Sequence, residues 1–161
     1  MNYHNINHFD MLNGDGIRVV LFVSGCRHHC KGCQNEQTWK VNSGINFDQS
    51  AIEELLEALK PGYIKGLTLS GGDPLHEDNL AAVSDLIDLV KSKYPNKDIW
   101  IYSGYTINDI LNSHEPDMAK RSEIIKKCDV FVDGKFELDK LDVSYPFAGS
   151  TNQNIIYMKD I

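Results

Sequence analysis

The chain has 161 residues, 42% of them hydrophobic and 24% charged, a composition that fits one globular domain over residues 1–161 with a sizeable core. Its formal net charge of −7 argues against broad attraction to a phosphate backbone, so nucleic acid is not an expected partner. No stretch approaches the roughly 20 apolar residues that span a bilayer, and MNYHNINHFDM lacks the basic start and apolar middle of a signal peptide. A cytoplasmic location without membrane contact is expected.

Residues 17–23, IRVVLFV, form an unbroken apolar and β-branched run and predict a buried strand. The run leads into CRHHCKGC at 26–33, which holds three of the four cysteines. From Asp48 to Leu59, apolar residues at 51, 52, 55, 56 and 59 keep helical spacing until Pro61-Gly62 stops it. GLTLS at 66–70 predicts a second strand running into GGDP, and LAAVSDLIDLVKSKY at 80–94 an amphipathic helix. DIWIYSG at 98–104 predicts a third strand, short helical pieces follow between 106 and 127, and CDVFVDG at 128–134 predicts a fourth. Beyond Lys135 the periodicity fades, and the tail from about 139 is expected to be irregular. Strands alternating with helices predict an α/β fold with right-handed parallel crossovers and ligands at the carboxyl ends of the strands. The cysteine loop, SGGDP, Ser103-Gly104 and Asp133-Gly134 each follow such an end.

In a reducing compartment, clustered thiols point to metal binding or catalysis rather than disulfides, and Cys128 has no neighbouring partner in sequence. Three thiols are one short of the four ligands of a closed zinc site or a wholly protein-held iron-sulfur cluster. Taken alone, Cys26-x3-Cys30-x2-Cys33 admits a zinc site completed by His28, His29 or a distant histidine, and it also admits a redox or structural role. His4, His8, His76 and His114 read as solvated surface residues. The second motif narrows the choice, because parallel topology brings SGGDP at 70–74 beside the cysteine loop. Neither Gly71 nor Gly72 has a Cβ, so backbone there can approach a ligand closely, and Pro74 suits a first helical turn.

Together the two motifs resemble the radical SAM enzymes, whose CxxxCxxC signature holds a 4Fe-4S cluster through three irons and leaves the fourth for S-adenosylmethionine. The resemblance implies that Cys26, Cys30 and Cys33 are the metal ligands and the catalytic centre. SGGDP looks like the GGE-type motif that hydrogen-bonds the methionine amino group, which places Gly71, Gly72 and Asp73 at the cofactor. MNYHNI, NGDGIRVVLFVSGCRHHCKGCQN, TWKVNSG, LSGGDPLHEDN, KDIWIYSGY, VFVDGKFE and GSTNQ narrow the resemblance to the anaerobic ribonucleoside-triphosphate reductase activating proteins, over nearly the whole chain. It implies a compact partial (β/α) barrel of the radical SAM type with mainly parallel strands. It implies also an activase that cleaves S-adenosylmethionine and generates a glycyl radical on the large subunit of the reductase, drawing on an electron donor such as flavodoxin or ferredoxin.

Two departures from the family pattern stand out. Relatives place an aromatic residue beside the third cysteine to contact adenine, whereas Gly32 and Gln34 flank Cys33 here. Ala148 stands where the family commonly has an arginine before GS-x-NQ. Ser103-Gly104 reads equally as a plain turn or as a wall for S-adenosylmethionine, and Asp133-Gly134 as a strand-ending turn rather than a catalytic acid. Cys128 reads as a small buried hydrophobe, Trp39 and Trp100 as core or interface residues, and the charges at 53–60 and 91–97 as solvated helix faces. Two other functions compete: activation of another glycyl-radical enzyme such as a pyruvate formate-lyase, and a zinc-binding interaction module without catalysis.

Overall fold

A computed structural model describes residues 1–161. Seven strands, β1 (Asn2–Asp10), β2 (Ile17–Val23), β3 (Ile45–Asn46), β4 (Ile64–Gly71), β5 (Asp98–Tyr102), β6 (Val130–Asp133) and β7 (Asn154–Tyr157), form one sheet in the order β3-β1-β2-β4-β5-β6-β7. β2, β4, β5 and β6 run parallel. β1 is antiparallel to β2 and to β3, and β7 is antiparallel to β6. The expected α/β class and parallel crossovers are therefore present, in a mixed sheet.

Four helices make the crossovers: α1 (Gln49–Leu59) before β4, α2 (Leu80–Lys93) before β5, and α3 (Ile107–Asn112) with α4 (Met118–Lys127) before β6. Each parallel strand lies next to its predecessor, so crossovers of one hand stack every helix on the same face. The strand side chains on that face alternate as the pleat requires: Val19, Leu21 and Val23, then Leu67 and Leu69, then Ile99 and Ile101, then Phe131. They pack against Leu55, Leu59, Val83, Ile87 and Ile124 of the helices. Local chemistry starts the helices. The Asp48 carboxylate accepts from Ala51 N at 2.9 Å, and Thr106 Oγ1 from Asp109 N at 3.1 Å, each satisfying an amide that a helix start leaves free.

The other face carries a smaller apolar cluster of Trp100, Val130 and Val132, with Phe147 and Ile155 against it. Arg18 is wholly buried there. Its Nε donates to Thr68 Oγ1 at 2.7 Å, its Nη2 to Leu67 O at 2.9 Å, and its Nη1 meets Asp98 at 2.7 Å. A buried guanidinium is tolerable only with its donors satisfied in this way.

Three strands escape the sequence pattern: β1, the two-residue β3 and β7. β1 buries Tyr3 and Ile6, three apart rather than two, because its register with β2 shifts between Tyr3 and Asn5. β7, in the tail expected to be irregular, is made by pairing with β6, and Leu141 bridges Ser150 before it. No helix is long and apolar enough to cross a membrane.

Leu69 is fully buried at the centre of the sheet. Leu69→Ala is expected to cost about 2–5 kcal/mol, read as a lower denaturation midpoint at unchanged slope.

Candidate metal centre

The cysteine loop leaves β2 under close backbone control. Gly25 N donates to Thr38 O at 2.7 Å and Cys26 N to Trp39 O at 3.0 Å, which clamps the start of the loop to its return segment. Cys33 N donates to Cys30 O at 3.1 Å and closes a turn through Gly32, whose φ of +77° lies where side chains are strained. That conformation explains why no aromatic stands before Cys33: a Cβ at position 32 would also meet Leu138 Cδ1 at 3.0 Å. Gly32 and Gln34 are exposed, flanking a half-buried Cys33 whose Sγ accepts from Asn35 N at 3.3 Å. Cys26, Cys30 and Cys33 are all unpaired thiols. Cys128 lies in the main core, as expected of a small hydrophobe, and burial pushes its thiol well above the usual range.

The glycine motif at the end of β4 sits directly against this loop. Gly72 N donates to Val23 O at 2.9 Å and Asp73 N to Gly25 O at 2.7 Å. A Cβ on Gly71 would stand 2.4 Å from Val23 N, and one on Gly72 would stand 2.6 Å from Gly25 O. The space these glycines open is thus filled by the chain's own backbone, where the sequence pointed to close approach of a ligand.

Asp73 ties three strand ends together. Its Oδ2 accepts from His28 Nε2 at 2.7 Å, Ser103 Oγ at 2.9 Å and Gly104 N at 3.0 Å, and its Oδ1 accepts from Leu75 N at 2.8 Å. The side chains of Asp73 and His28 are only 2% and 8% exposed, which strengthens these bonds relative to water. Ser103-Gly104 therefore does more than turn the chain. A Cβ on Gly104 would lie 2.3 Å from His28 Cδ2, so the glycine admits the imidazole. The edge of His28 packs on Tyr105 at 4.7 Å between centroids, and the Arg121 guanidinium lies over Tyr105 at 4.3 Å.

A second ring of polar groups holds this arrangement. Asn79 Nδ2 donates to Ser24 O at 2.8 Å and to Asp73 O at 3.2 Å. Arg27 pairs with Glu77 across the two loops, and its hydrogen bond holds the Glu77 carboxyl down at about 2. His76, expected at the surface, is buried: its Nδ1 accepts from Asp78 N at 3.1 Å and starts the turn before α2. Of the other histidines, His8 and His114 are exposed and His4 is half-buried. Asp133 is a joint, accepting from Ile107 N at 2.9 Å and from Asn154 Nδ2 at 3.0 Å, which supports the turn reading. Trp100 is core, whereas Trp39 is half-buried and stacks on His29 at 4.3 Å.

The thiols bear on what the loop can hold. Burial, with the Asp73 carboxylate adding to it, pushes Cys26 up to about 11, and burial also raises Cys30. Metal ligation must displace these protons. A zinc ion at bonds of about 2.3 Å would draw sulfurs to about 3.8 Å from one another. The ligand atoms that do gather within 4.8 Å are those of Cys26, His28 and Asp73, not the three thiols. His28 gathers with one thiol rather than three and His29 stacks on Trp39, so neither neighbouring histidine completes a four-ligand zinc set with all three cysteines. Three soft thiols on one partly exposed loop suit iron-sulfur ligation better than a closed zinc site.

Comparison with known proteins gives the same chemistry. A family described as a 4Fe-4S single cluster domain matches residues 12–156. A Pasteurella multocida protein is 45% identical over 159 residues, covering 98% of this chain and 97% of its own. An Enterobacteria phage T4 protein is 43% identical over 155 residues (96% and 93%), and one from Escherichia coli K12 is 40% identical over 161 (99% and 100%). All three are named anaerobic ribonucleoside-triphosphate reductase-activating protein. The chain belongs to this family. Within the family domain, sequence reasoning missed Asn79 and the Arg27–Glu77 pair, which hold the loops, and it named His28 as a possible zinc ligand rather than as a bridge to Asp73. Only the position of His28 inside the cysteine motif offered a signal, and it did not distinguish a metal ligand from a bridge.

Because position 72 faces the backbone of Gly25, Gly72→Val is expected to lower the melting temperature and the iron content together. Full iron retention at unchanged melting temperature would show that this space is open.

Proposed function

We propose that the chain activates an anaerobic ribonucleoside-triphosphate reductase by radical SAM chemistry, with Cys26, Cys30 and Cys33 holding three irons of a 4Fe-4S cluster and the fourth iron left for S-adenosylmethionine. Held by Cys26, Cys30 and Cys33, such a cluster would supply the one electron needed to cleave S-adenosylmethionine to methionine and a 5'-deoxyadenosyl radical, which would take a hydrogen atom from a glycine of the reductase and leave as 5'-deoxyadenosine. The observation that carries this reading is the three-thiol loop seated on the end of β4, with the fourth cysteine buried in the apolar core. The names of relatives 40–45% identical over nearly the whole chain support the reductase as partner, in preference to a pyruvate formate-lyase.

The chain's own residues contribute positioning. Asp73, held by four donors, fixes the cysteine loop against the ends of β4 and β5 before any ligand arrives, so less ordering is left to binding. Gly71, Gly72 and Asp73 supply the backbone beside which S-adenosylmethionine is proposed to sit, with Ser103 and Gly104 as its wall and Gly32, Cys33 and Gln34 on the adenine side. Gly32 and Gln34 are exposed, so the mouth of the site needs a cover. A glycine-bearing loop of the large reductase subunit is the proposed cover, and it would keep water and side reactions away from a primary carbon radical. A small redox protein, flavodoxin or ferredoxin, is the proposed electron source.

Two measurements test the reading. Cys26→Ser, Cys30→Ser and Cys33→Ser should each lose the intact cluster, whereas Cys128→Ser should keep its iron and sulfide; equal loss in all four would reject the ligand set. Incubated without oxygen with a strong reductant, S-adenosylmethionine and the large reductase subunit, the chain should produce a glycyl doublet in electron paramagnetic resonance that collapses when the target glycine is deuterated. Cleavage of S-adenosylmethionine with no radical on the reductase would reject the partner.

A further inference from the structure

The three thiols serve one proposed site, but the ligand atoms that lie closest together belong to a different trio. Cys26 Sγ, a ring nitrogen of His28 and a carboxylate oxygen of Asp73 all lie within 4.8 Å of one another. We propose that Cys26, His28 and Asp73 form a mononuclear site for a borderline divalent cation, ferrous iron or zinc, in the cluster-free chain. Neither Cys30 nor Cys33 takes part.

The chemistry and the geometry agree. Thiolate, imidazole and carboxylate are each accepted ligands of zinc and ferrous iron, and three protein ligands leave a fourth position open to water. Tetrahedral bonds of about 2.0–2.3 Å place ligand atoms about 3.3–3.8 Å apart, so the trio needs only small movements to close. The contact at 2.7 Å between His28 Nε2 and Asp73 Oδ2 is one that an ion would replace with two bonds.

The outer contacts of a built site are also in place. Asp73 is oriented by Leu75 N, Ser103 Oγ and Gly104 N, at 2.8, 2.9 and 3.0 Å. His28 packs edge-to-face with Tyr105, and its ring fills the space above Gly104. Such outer contacts orient the ligands and raise the affinity of a metal site. Cys26 is partly exposed, which leaves a way in from solvent.

The site has a consequence for assembly. If Cys26 is also a cluster ligand, as the activase reading holds, one thiol serves both sites, and a single ion on the trio must leave or be incorporated before the cluster is complete. The binding site itself does not depend on that reading.

Cobalt(II) is a suitable probe, since its thiolate charge-transfer absorption scales with the number of bound sulfurs. The full-length chain, stripped of metal and kept reduced, is titrated with cobalt and back-titrated with zinc. One cobalt per chain is expected, with the absorption of a single thiolate, displaced by one zinc. Cys26→Ser should abolish the band. His28→Gln, which keeps a donor for Asp73, should weaken cobalt binding on the order of tenfold or more, and Cys30→Ser and Cys33→Ser should leave the band unchanged. Circular dichroism checks that each chain is folded. An absorption of two or three thiolates, its loss in Cys30→Ser or Cys33→Ser, unchanged affinity in His28→Gln, or no uptake by the folded wild-type chain would each overturn the assignment. None of these outcomes alters the cluster and glycyl-radical measurements, so the two readings fail separately.

Discussion

The carboxylate of Asp73 is where the architecture of the mouth converges. Three parallel strands deliver three loops to one end of the sheet, and loops at strand ends are free to splay unless something joins them. Asp73 joins them by accepting from His28 of the first loop, from Leu75 of its own, and from Ser103 and Gly104 of the third. An ionised carboxylate can accept from several donors at once, and burial makes each bond stronger than it would be in water. A neutral side chain of similar size could not hold all three loops.

The glycines follow from that junction. Gly71 and Gly72 let the end of β4 lie against the backbone of Val23 and Gly25, and Gly104 lets His28 reach the carboxylate. In each case the missing side chain makes room for another part of the chain. The close approach that a glycine motif signals is real here, but its first beneficiary is the packing of loop on loop. Any ligand at this mouth meets a surface whose shape has already been set by contacts beneath it.

Below the mouth, the sheet divides its labour by face. Helices cover one side and bury the larger apolar cluster. The other side holds the fully buried Arg18 with Thr68, Asp98 and Trp100, under the later segment that carries Phe147. The tail belongs to this arrangement. Gln153 accepts from Gly149 N and Ser150 N at 2.9 and 3.1 Å and donates to Gly134 O at 3.0 Å, tying the GSTNQ stretch to the end of β6.

Much of this was legible in the chain itself. IRVVLFV is a strand over the residues its composition marked, and the helices at 49–59 and 80–93 lie where apolar spacing placed them, because period and composition are local properties. The three clustered cysteines and SGGDP were also local, and their adjacency followed from the parallel order of β2 and β4. Other features were not local. β1 and β7 exist through their partners, and a register shift removes from β1 the alternation that would have announced it. His76 looked like a surface histidine until folding buried it, and nothing in the order of residues showed that His28 would come within 2.7 Å of Asp73, 45 residues away. The sequence by itself determined which groups this protein has for chemistry and on which strand ends they sit. Tertiary structure decided which of them touch, because a hydrogen bond between distant residues depends on the packing of whole strands and leaves no periodic trace in the order of amino acids.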